Sequence, residues 1–594
     1  MKEKKKSVKK NLPVYEEEKY LNYILVLTFF VFLSVFSTFK ITGDDDVFWH
    51  LATGRYIIET GHVPSADVFG FMTQGQEWMP FEWGWDVLTY SLYNISGYHG
   101  ISVLRTLIFV VIFIILLYSF RKFGISWIFS VLFMTVFSFA IMDRLTPRPH
   151  VMSYLFFLCL LLIIFRFRYF DRGNRKVLYF IPVIFLIWAN MHMGIIAGGF
   201  LMLLYFIAEL ISTFSKKYSN ASVRPLTRSE LLFLFIILVI SALSMLANPN
   251  FIQTYFYAFQ HTKMKMLETV NEWMSPFGSR YGDTLVNNLY KLFLVLGFFN
   301  IYYTIKKKDI LPALLFTGFG LYSIRAMRFT IDYVIILFPF VVISLYMFIN
   351  SFKSEPFKLF INKKPYLKIA LILFLIFLIY NLPGNKLYLE HLKYYRITGF
   401  GINSDFIPVQ LFDFMKRNNV PEIGDRVFNH FGTGGYFVWT FEGKQNFIDS
   451  RNLNDDIFNK YQQILSKQPG FEQKLDEYKI DYAIYLAPDL VRDPKEMENT
   501  VISYFCKNPN WKLIFWDDKS FLWVRNIPKF AYLIDNYEYR YLTPYSYVYQ
   551  RSQFEKGLNE DTDRLKNEVN RKKDEDPKGI ILNSFLNVYG NKLK

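Results

Sequence analysis

The stretch Leu21-Asn-Tyr-Ile-Leu-Val-Leu-Thr-Phe-Phe-Val-Phe-Leu-Ser-Val-Phe-Ser-Thr-Phe-Lys-Ile41 is followed almost at once by Asp44-Asp45-Asp46. A run of this length and apolarity spans a bilayer, which needs about 20 residues per helix. The Lys-rich segment before it is too long for a signal-peptide n-region and no small-x-small cleavage site follows, so the run reads as a retained first span. Three carboxylates therefore stand where the first helix leaves the lipid.

Working outward, further apolar segments cover Ile101–Phe120, Ile125–Met142, Val151–Phe165, Val177–Ala189, Ile195–Phe214, Leu231–Ala247, Leu292–Thr304, Leu311–Ile324, Val334–Ile349 and Ile369–Tyr380. The expected fold class is an α-helical polytopic membrane protein of about 11 transmembrane helices. Basic residues gather at Lys2–Lys19, Arg121-Lys122, Arg166–Lys176, Lys216–Arg228, Lys306–Lys308 and Lys353–Lys368. These loops belong in the cytoplasm, which puts the N-terminus inside and everything after Asn381 outside the cytoplasmic (inner) membrane.

The 594 residues are 52% hydrophobic and 20% aromatic, and their net charge of +16 resides largely in those short inner loops. There it sets orientation and meets the anionic lipid bilayer, so a nucleic-acid partner is not expected. The two cysteines, Cys159 in a span and Cys506 outside, support neither a disulfide framework nor a thiolate metal site.

Four regions are expected: a basic tail (1–20), a transmembrane domain (21–381) with a long first outer loop (42–100), a C-terminal extracytoplasmic α/β domain (382–540) and a polar helical tail (541–594). In the first loop, Asp46–Glu59 and Pro80–Tyr93 read as helices, with Thr60-Gly61-His62-Val63-Pro64 as a stop. Trp83, Trp85, Tyr90 and Tyr93 suit a headgroup layer, so the loop is expected to lie along the membrane surface with amphipathic helices capping the bundle. In the α/β domain, Arg426–Asn429, Asn446–Asp449, Tyr482–Leu486, Trp511–Trp516 and Phe521–Val524 read as strands. Asp455–Leu465, Gln473–Tyr478 and Lys495–Cys506 read as helices.

The chemically distinctive residues fall on the outer side. Three adjacent carboxylates repel one another, which favours a bound cation, a nearby Arg or a raised pKa on one member. The simpler reading is that Asp45 or Asp46 caps the helix beginning near Val47. His50, one turn after Asp46, fits a metal ligand or a hydrogen-bond partner. Among Asp67, Glu77, Glu82 and Asp86, Glu82 between Phe81 and Trp83 is the candidate, and the others read as solvated or structural. Arg144-Leu-Thr-Pro-Arg148-Pro-His150 places two guanidiniums and an imidazole on a stiff turn suited to an anion. Arg325 and Arg328 form a second outer pair, and snorkelling to headgroups is their bland alternative. Asn190 and His192 in Trp188-Ala-Asn-Met-His-Met-Gly194, and Glu272 in the fourth loop, are costly near a membrane unless paired. No phosphate-binding loop of the Gly-rich Lys-Ser/Thr kind occurs, and an outward site has no access to nucleotide sugars or ATP.

Asp44-x-Asp46-Val-Phe-Trp49-His50-Leu-Ala-Thr-Gly54-Arg55, Gly61-His-Val-Pro64-Ser-Ala-Asp67 and Glu82-Trp83 resemble bacterial proteins of the GT-C glycosyltransferase superfamily. Arg148-Pro149, Trp188-Ala-Asn190-Met-His192, Asn248-Pro249, Val427-Phe-Asn429 to Gly434-Gly435-Tyr436 and Phe447-Ile-Asp449-Ser-Arg451 extend the resemblance over Asp44–Val524. It implies transfer of a sugar from a polyprenyl-phosphate carrier to a glycan, lipid or protein acceptor at the outer face. An acidic residue of the first outer loop, here Asp44 or Asp46, would be base or metal partner. Met193 departs from the Gly-rich stretch that follows the His in the family pattern.

On this reading Asp44, Asp46 and Glu82 are the catalytic candidates. His50, Arg144, Arg148, His150, Asn190, His192, Glu272, Arg325 and Arg328 bind substrate or phosphate, and Asp44, Asp46 and His50 are candidate ligands of a divalent cation, Mg or Mn. A single in-line displacement would invert the sugar. The rival readings are a non-catalytic glycolipid transporter or assembly scaffold, and a lipid-phosphate hydrolase or phosphotransferase.

Overall fold

A computed structural model of the chain describes residues 16–43, 45–171, 173–215, 223–278, 284–352, 365–451 and 454–593. Asp44 lies outside the described residues, so its expected roles as base and as cation ligand do too.

Each apolar segment named above is helical. Six helices among the described residues are long and apolar enough to cross a membrane: Lys19–Ser37, Tyr98–Lys122, His150–Phe170, Ile195–Phe214, Leu285–Lys307 and Met327–Ser351. Trp127–Ala140, Leu311–Ser323 and Pro365–Asn381 are shorter apolar helices. Their inward faces form one continuous core in which Phe29, Phe113, Phe137 and Phe338 stack at ring-centroid distances of 4.2–5.5 Å. The outward faces keep large apolar side chains such as Leu107, Ile114, Leu203 and Phe377 uncovered, as a helix bathed in lipid requires. At one end of the bundle Arg168 is buried between Glu209 and Asp309, and Tyr169 donates to Asp309 at 2.6 Å. Buried charge of this kind persists because each member satisfies another.

The opposite end is closed by the first loop. Its helices span Asp46–Thr60, terminated by Gly61 in the left-handed conformation, and Trp83–Ser96. They pack so closely that a Cβ on Gly54 would collide with the Asp86 carbonyl. The loop helices cap the bundle as expected: Trp85 joins the bundle core, and Tyr90 packs edge-on to Trp439 at 6.1 Å. Neither Asp45 nor Asp46 caps the Asp46–Thr60 helix by its side chain. The Asp45 carboxylate accepts instead from the backbone N–H groups of Gly435 and Tyr436, at 2.7 and 2.9 Å, in the first turn of the Gly434–Thr440 helix. Asp45 thus serves a helix N-terminus 390 residues away rather than that of the helix it precedes.

That distant helix belongs to a second unit built on a four-stranded sheet: β1 (Val427–Asn429), β2 (Tyr482–Leu486), β3 (Trp511–Trp516) and β4 (Ser520–Arg525). The order is β1-β2-β4-β3, with β1 parallel to β2 and the other pairs antiparallel. Asn446–Asp449 is not a strand. Its Asn446 bridges only to Gly70, while the N–H groups of Phe447 and Ile448 donate to the side chain of Asn429, which replaces a ladder partner. Lys495–Cys506 is divided at Thr500 into two short helices. Helices Arg551–Glu560, Thr562–Glu575 and Ile580–Tyr589 follow, and Phe554, Leu565, Val569 and Phe585 pack into the core beneath the sheet.

Gly54→Ala is expected to lower stability by about 1–3 kcal/mol, the usual cost of overpacking a close contact. Thermal unfolding of the solubilised protein checks this, and Gly61→Ala, at a left-handed position with open space around it, is the comparison.

Candidate active site

The contacts that seat the C-terminal unit on the bundle also gather its charges. Asp46, at the first turn of its helix, pairs with Arg148 of the second loop at 2.8 Å and accepts from the hydroxyl of Ser450. Arg144, from the same stiff turn, holds Glu272 at 2.9 Å, and Arg148 lies 3.9 Å from that carboxylate. Arg328 sits over the ring of Trp273 at 4.5 Å, one helical turn before Asp332. Burial alone would push the Glu272 carboxyl up, yet Arg144, Arg148 and Arg328 together hold it down to about 2. Three guanidiniums thus share a small space with a fixed anion.

Beside this cluster, Glu82 stands between two imidazoles. Its carboxylate oxygens lie 3.7 Å from Nε2 of His50 and 3.7 Å from Nε2 of His192, too far for hydrogen bonds. The contacts are electrostatic and loose, as catalytic contacts often are in unliganded sites. Both rings are fixed from behind. Nδ1 of His50 meets Asp86 at 2.5 Å. Nδ1 of His192 receives the Gly194 N–H at 3.0 Å and the Ser153 hydroxyl at 2.7 Å, because Ser153 itself accepts from Trp188. His192 therefore carries its proton on Nε2, facing Glu82.

Burial keeps both rings neutral at ordinary pH. It acts with Arg328 and Arg144 to push His192 down to about 3, and with Arg148 and His192 to hold His50 well below the usual imidazole range. Burial and the Asp46 charge push Glu82 up to about 8, against the pull of Arg328 and Arg148. Asp86, wholly buried and near Glu82, is pushed well above the usual carboxylate range. Two carboxylates of the same loop therefore differ: Asp46 is fixed beside a guanidinium, whereas Glu82 is pushed up to about 8.

Of the residues singled out from sequence, the described ones that meet at this end are Asp46, His50, Glu82, Arg144, Arg148, His192, Glu272 and Arg328. His150 is adjacent, with Nε2 on the Arg144 carbonyl at 3.0 Å and its ring 6.4 Å from that of His192. Asn190 fixes the fold: its carbonyl accepts from Trp83 at 2.8 Å and its amide donates to the Leu186 and Ala247 carbonyls. Arg325 is exposed and joins none of these contacts. Of the three expected cation ligands, Asp44 lies outside the described residues and the other two have protein partners. Asp46 is engaged by Arg148 and Ser450, His50 by Asp86, and among the described residues no group of three or more His, Cys, Asp or Glu is gathered to hold a metal.

Ser450, Ser153 and the role of Asp86 escaped the sequence reading. Asp86 is four residues from Glu82, so an i, i+4 relation on one helix was the available signal. Nothing local marks Ser450 as a partner of Asp46.

With this geometry in place, comparison with known proteins is informative. No family model and no curated protein sequence matches the chain. Among solved structures, the oligosaccharyltransferase of Archaeoglobus fulgidus in its apo form superposes with a TM-score of 0.52 at 11% identity, covering 80% of this chain and 70% of that one. The archaeal oligosaccharyltransferase AglB from Archaeoglobus fulgidus, in complex with an inhibitory peptide and a dolichol-phosphate, gives a TM-score of 0.51 at 11% identity over 84% and 74%. ArnT from Cupriavidus metallidurans bound to undecaprenyl phosphate gives 0.47 at 10% identity over 87% and 99%. The chain has the GT-C glycosyltransferase fold. Within that fold the first loop, the second-loop arginines and the C-terminal unit meet at one end of a membrane bundle.

Asp45→Ala is expected to loosen this junction, since it strands two N–H groups at a cost of about 1–3 kcal/mol each if they stay dry. Limited proteolysis between residues 382 and 434 should accelerate, while Asp45→Asn, which keeps an acceptor oxygen, should remain near wild type.

Proposed function

We propose that the protein transfers a sugar from a polyprenyl-phosphate carrier to an acceptor hydroxyl at the outer face of the cytoplasmic membrane. In this reading about 11 helices cross the bilayer, with the N-terminus inside and the C-terminal unit outside. The observation that carries it is the meeting of a near-neutral carboxylate, Glu82, with the Arg144, Arg148 and Arg328 cluster. The dolichol-phosphate bound by a protein of the same fold supports a lipid phosphate as the anion.

The chemistry follows from charge. A polyprenyl phosphate is already a good leaving group, so its departure needs cations rather than a general acid. Arg144, Arg148 and Arg328 supply them, and Asp46 keeps Arg148 oriented. Glu82 takes the proton of the acceptor hydroxyl, whose oxygen attacks the anomeric carbon as the bond to phosphate breaks. His192 Nε2–H and the Asp86-held His50 position that carboxylate. Attack opposite the leaving group inverts the anomeric centre.

A base must be ionised to act, and a carboxyl raised to about 8 is mostly protonated at neutrality. The rate should therefore climb roughly tenfold per pH unit below about 8 and level above it. Glu82→Gln is expected to lower kcat by about 10²–10⁴-fold and to abolish that limb. The assay is transfer from synthetic polyprenyl-phosphate sugars to cell-envelope glycan in proteoliposomes, followed by mass spectrometry. No transfer by the wild type would leave a transporter or scaffold standing, an unchanged transfer rate in Glu82→Gln would remove Glu82 as the base, and release of free sugar or phosphate without acceptor would indicate a hydrolase.

Arg148→Ala should raise KM for the carrier-linked donor and lower kcat together, because the guanidinium meets phosphate in both ground and transition states. Arg325→Ala, on an exposed side chain outside the cluster, should do neither.

A further inference from the structure

Two carboxylates stand among the arginines of the site, and they are held differently. Asp46 meets Nη1 of Arg148 at 2.8 Å and accepts as well from the Ser450 hydroxyl of the C-terminal unit. Glu272 presents one oxygen, Oε1, to two guanidiniums at once, with Nη1 of Arg144 at 2.9 Å and Nη1 of Arg148 at 3.9 Å. Its side chain is 38% exposed, against 16% for Arg144, 27% for Arg148 and 18% for Asp46. Of the two anions, Glu272 is the one with a path to water.

The backbone that carries Glu272 is tied on both sides. Before it, Lys265 and Met266 donate their N–H groups to the Asp455 carboxylate of the C-terminal unit, each at 3.0 Å. After it, Trp273 lies against the Arg328 guanidinium and the Met274 carbonyl accepts from the Met327 N–H at 2.9 Å. Withdrawal of the carboxylate from the arginines therefore needs only rotation about its side-chain bonds, with no opening of the loop.

An anionic oxygen shared between two guanidiniums is the contact that a phosphate oxygen makes. A phosphate arriving at Arg144 and Arg148 finds that place taken. Keeping both anions there sets two like charges about 4 Å apart, which at an effective dielectric near 20 weakens binding by about three powers of ten. Turning Glu272 out to water breaks one partly exposed ion pair, a much smaller loss. We propose that Glu272 is the resident counter-ion of the phosphate seat: it occupies Arg144 and Arg148 in the free protein and swings aside when a carrier phosphate takes them. It is then the phosphate's competitor rather than its ligand, and it sets the affinity of the seat. The proposal rests on the lipid-phosphate reading of this site.

The test is equilibrium binding of radiolabelled undecaprenyl phosphate, and separately of inorganic phosphate, to the full chain in uncharged detergent. Glu272→Gln is nearly isosteric and removes the charge, and it should bind undecaprenyl phosphate about threefold to tenfold more tightly than wild type. Glu272→Ala should show a gain of the same sign, so the result does not hang on the folding of one variant, and Glu272→Asp, which keeps the charge, should stay closer to wild type. Loss of a merely structural contact weakens binding, so a gain in affinity separates the two roles. Equal or weaker binding of both probes by Glu272→Gln and Glu272→Ala overturns the proposal, as does failure of both probes to bind any form. If undecaprenyl phosphate binds wild type and gains nothing in these variants, the counter-ion role falls and the carrier reading stands. If inorganic phosphate gains while undecaprenyl phosphate binds no form, the counter-ion role stands and the carrier reading falls.

Discussion

The carboxylate of Asp46 ties together three parts of the chain that are remote in sequence. It opens the Asp46–Thr60 helix of the first loop, takes a guanidinium from the second loop and accepts a hydroxyl from the C-terminal unit. An ion half-removed from water needs such partners, since burial without them would drive it to neutralise. Meeting that need brings Arg148, and with it Arg144 and Glu272, to the place where Glu82 stands between two neutral imidazoles. The active-site architecture is thus a consequence of satisfying buried charge at the end of an apolar bundle.

Two kinds of support keep the arrangement in place. Glycines let backbones approach: Gly54 admits Asp86 beneath His50, and Gly435 sits so close to Asp45 that a Cβ would lie 2.5 Å from its carbonyl oxygen. Hydrogen bonds from behind then set the rings and carboxylates, as Ser153 and Trp188 do for His192. The result is a group poised near neutrality beside groups that are not, the condition for assigning acid, base and clamp to separate side chains.

Much of the bundle was legible because lipid imposes a simple rule: an apolar helix of fixed length, repeated. The strands Tyr482–Leu486 and Trp511–Trp516 were legible for a similar reason, being short β-rich runs between turn residues. Asn446–Asp449 was misread because its apolar Phe447 and Ile448 mimic a strand while Asn429 supplies their partner from outside. The site was legible in its charged loops, since an arginine or carboxylate near a membrane demands a reason. It was illegible wherever the partner is a small neutral group from a distant segment. Ser450 and Ser153 carry no local mark, and Asp45 looks like the cap of the helix it precedes rather than of one in another unit. Arg325 and Arg328 look alike in sequence, and only packing against Trp273 draws one of them inward.

The central claim is that the guanidiniums of Arg144, Arg148 and Arg328 form the seat of a lipid phosphate. A cryo-EM structure of the protein in nanodiscs with a polyprenyl phosphate bound tests this most directly. The account predicts phosphate oxygens within hydrogen-bond distance of at least two of these guanidiniums, with Glu82 facing the same cavity. Phosphate density at the Arg168 end of the bundle, or none near the first loop at saturating carrier, would contradict it.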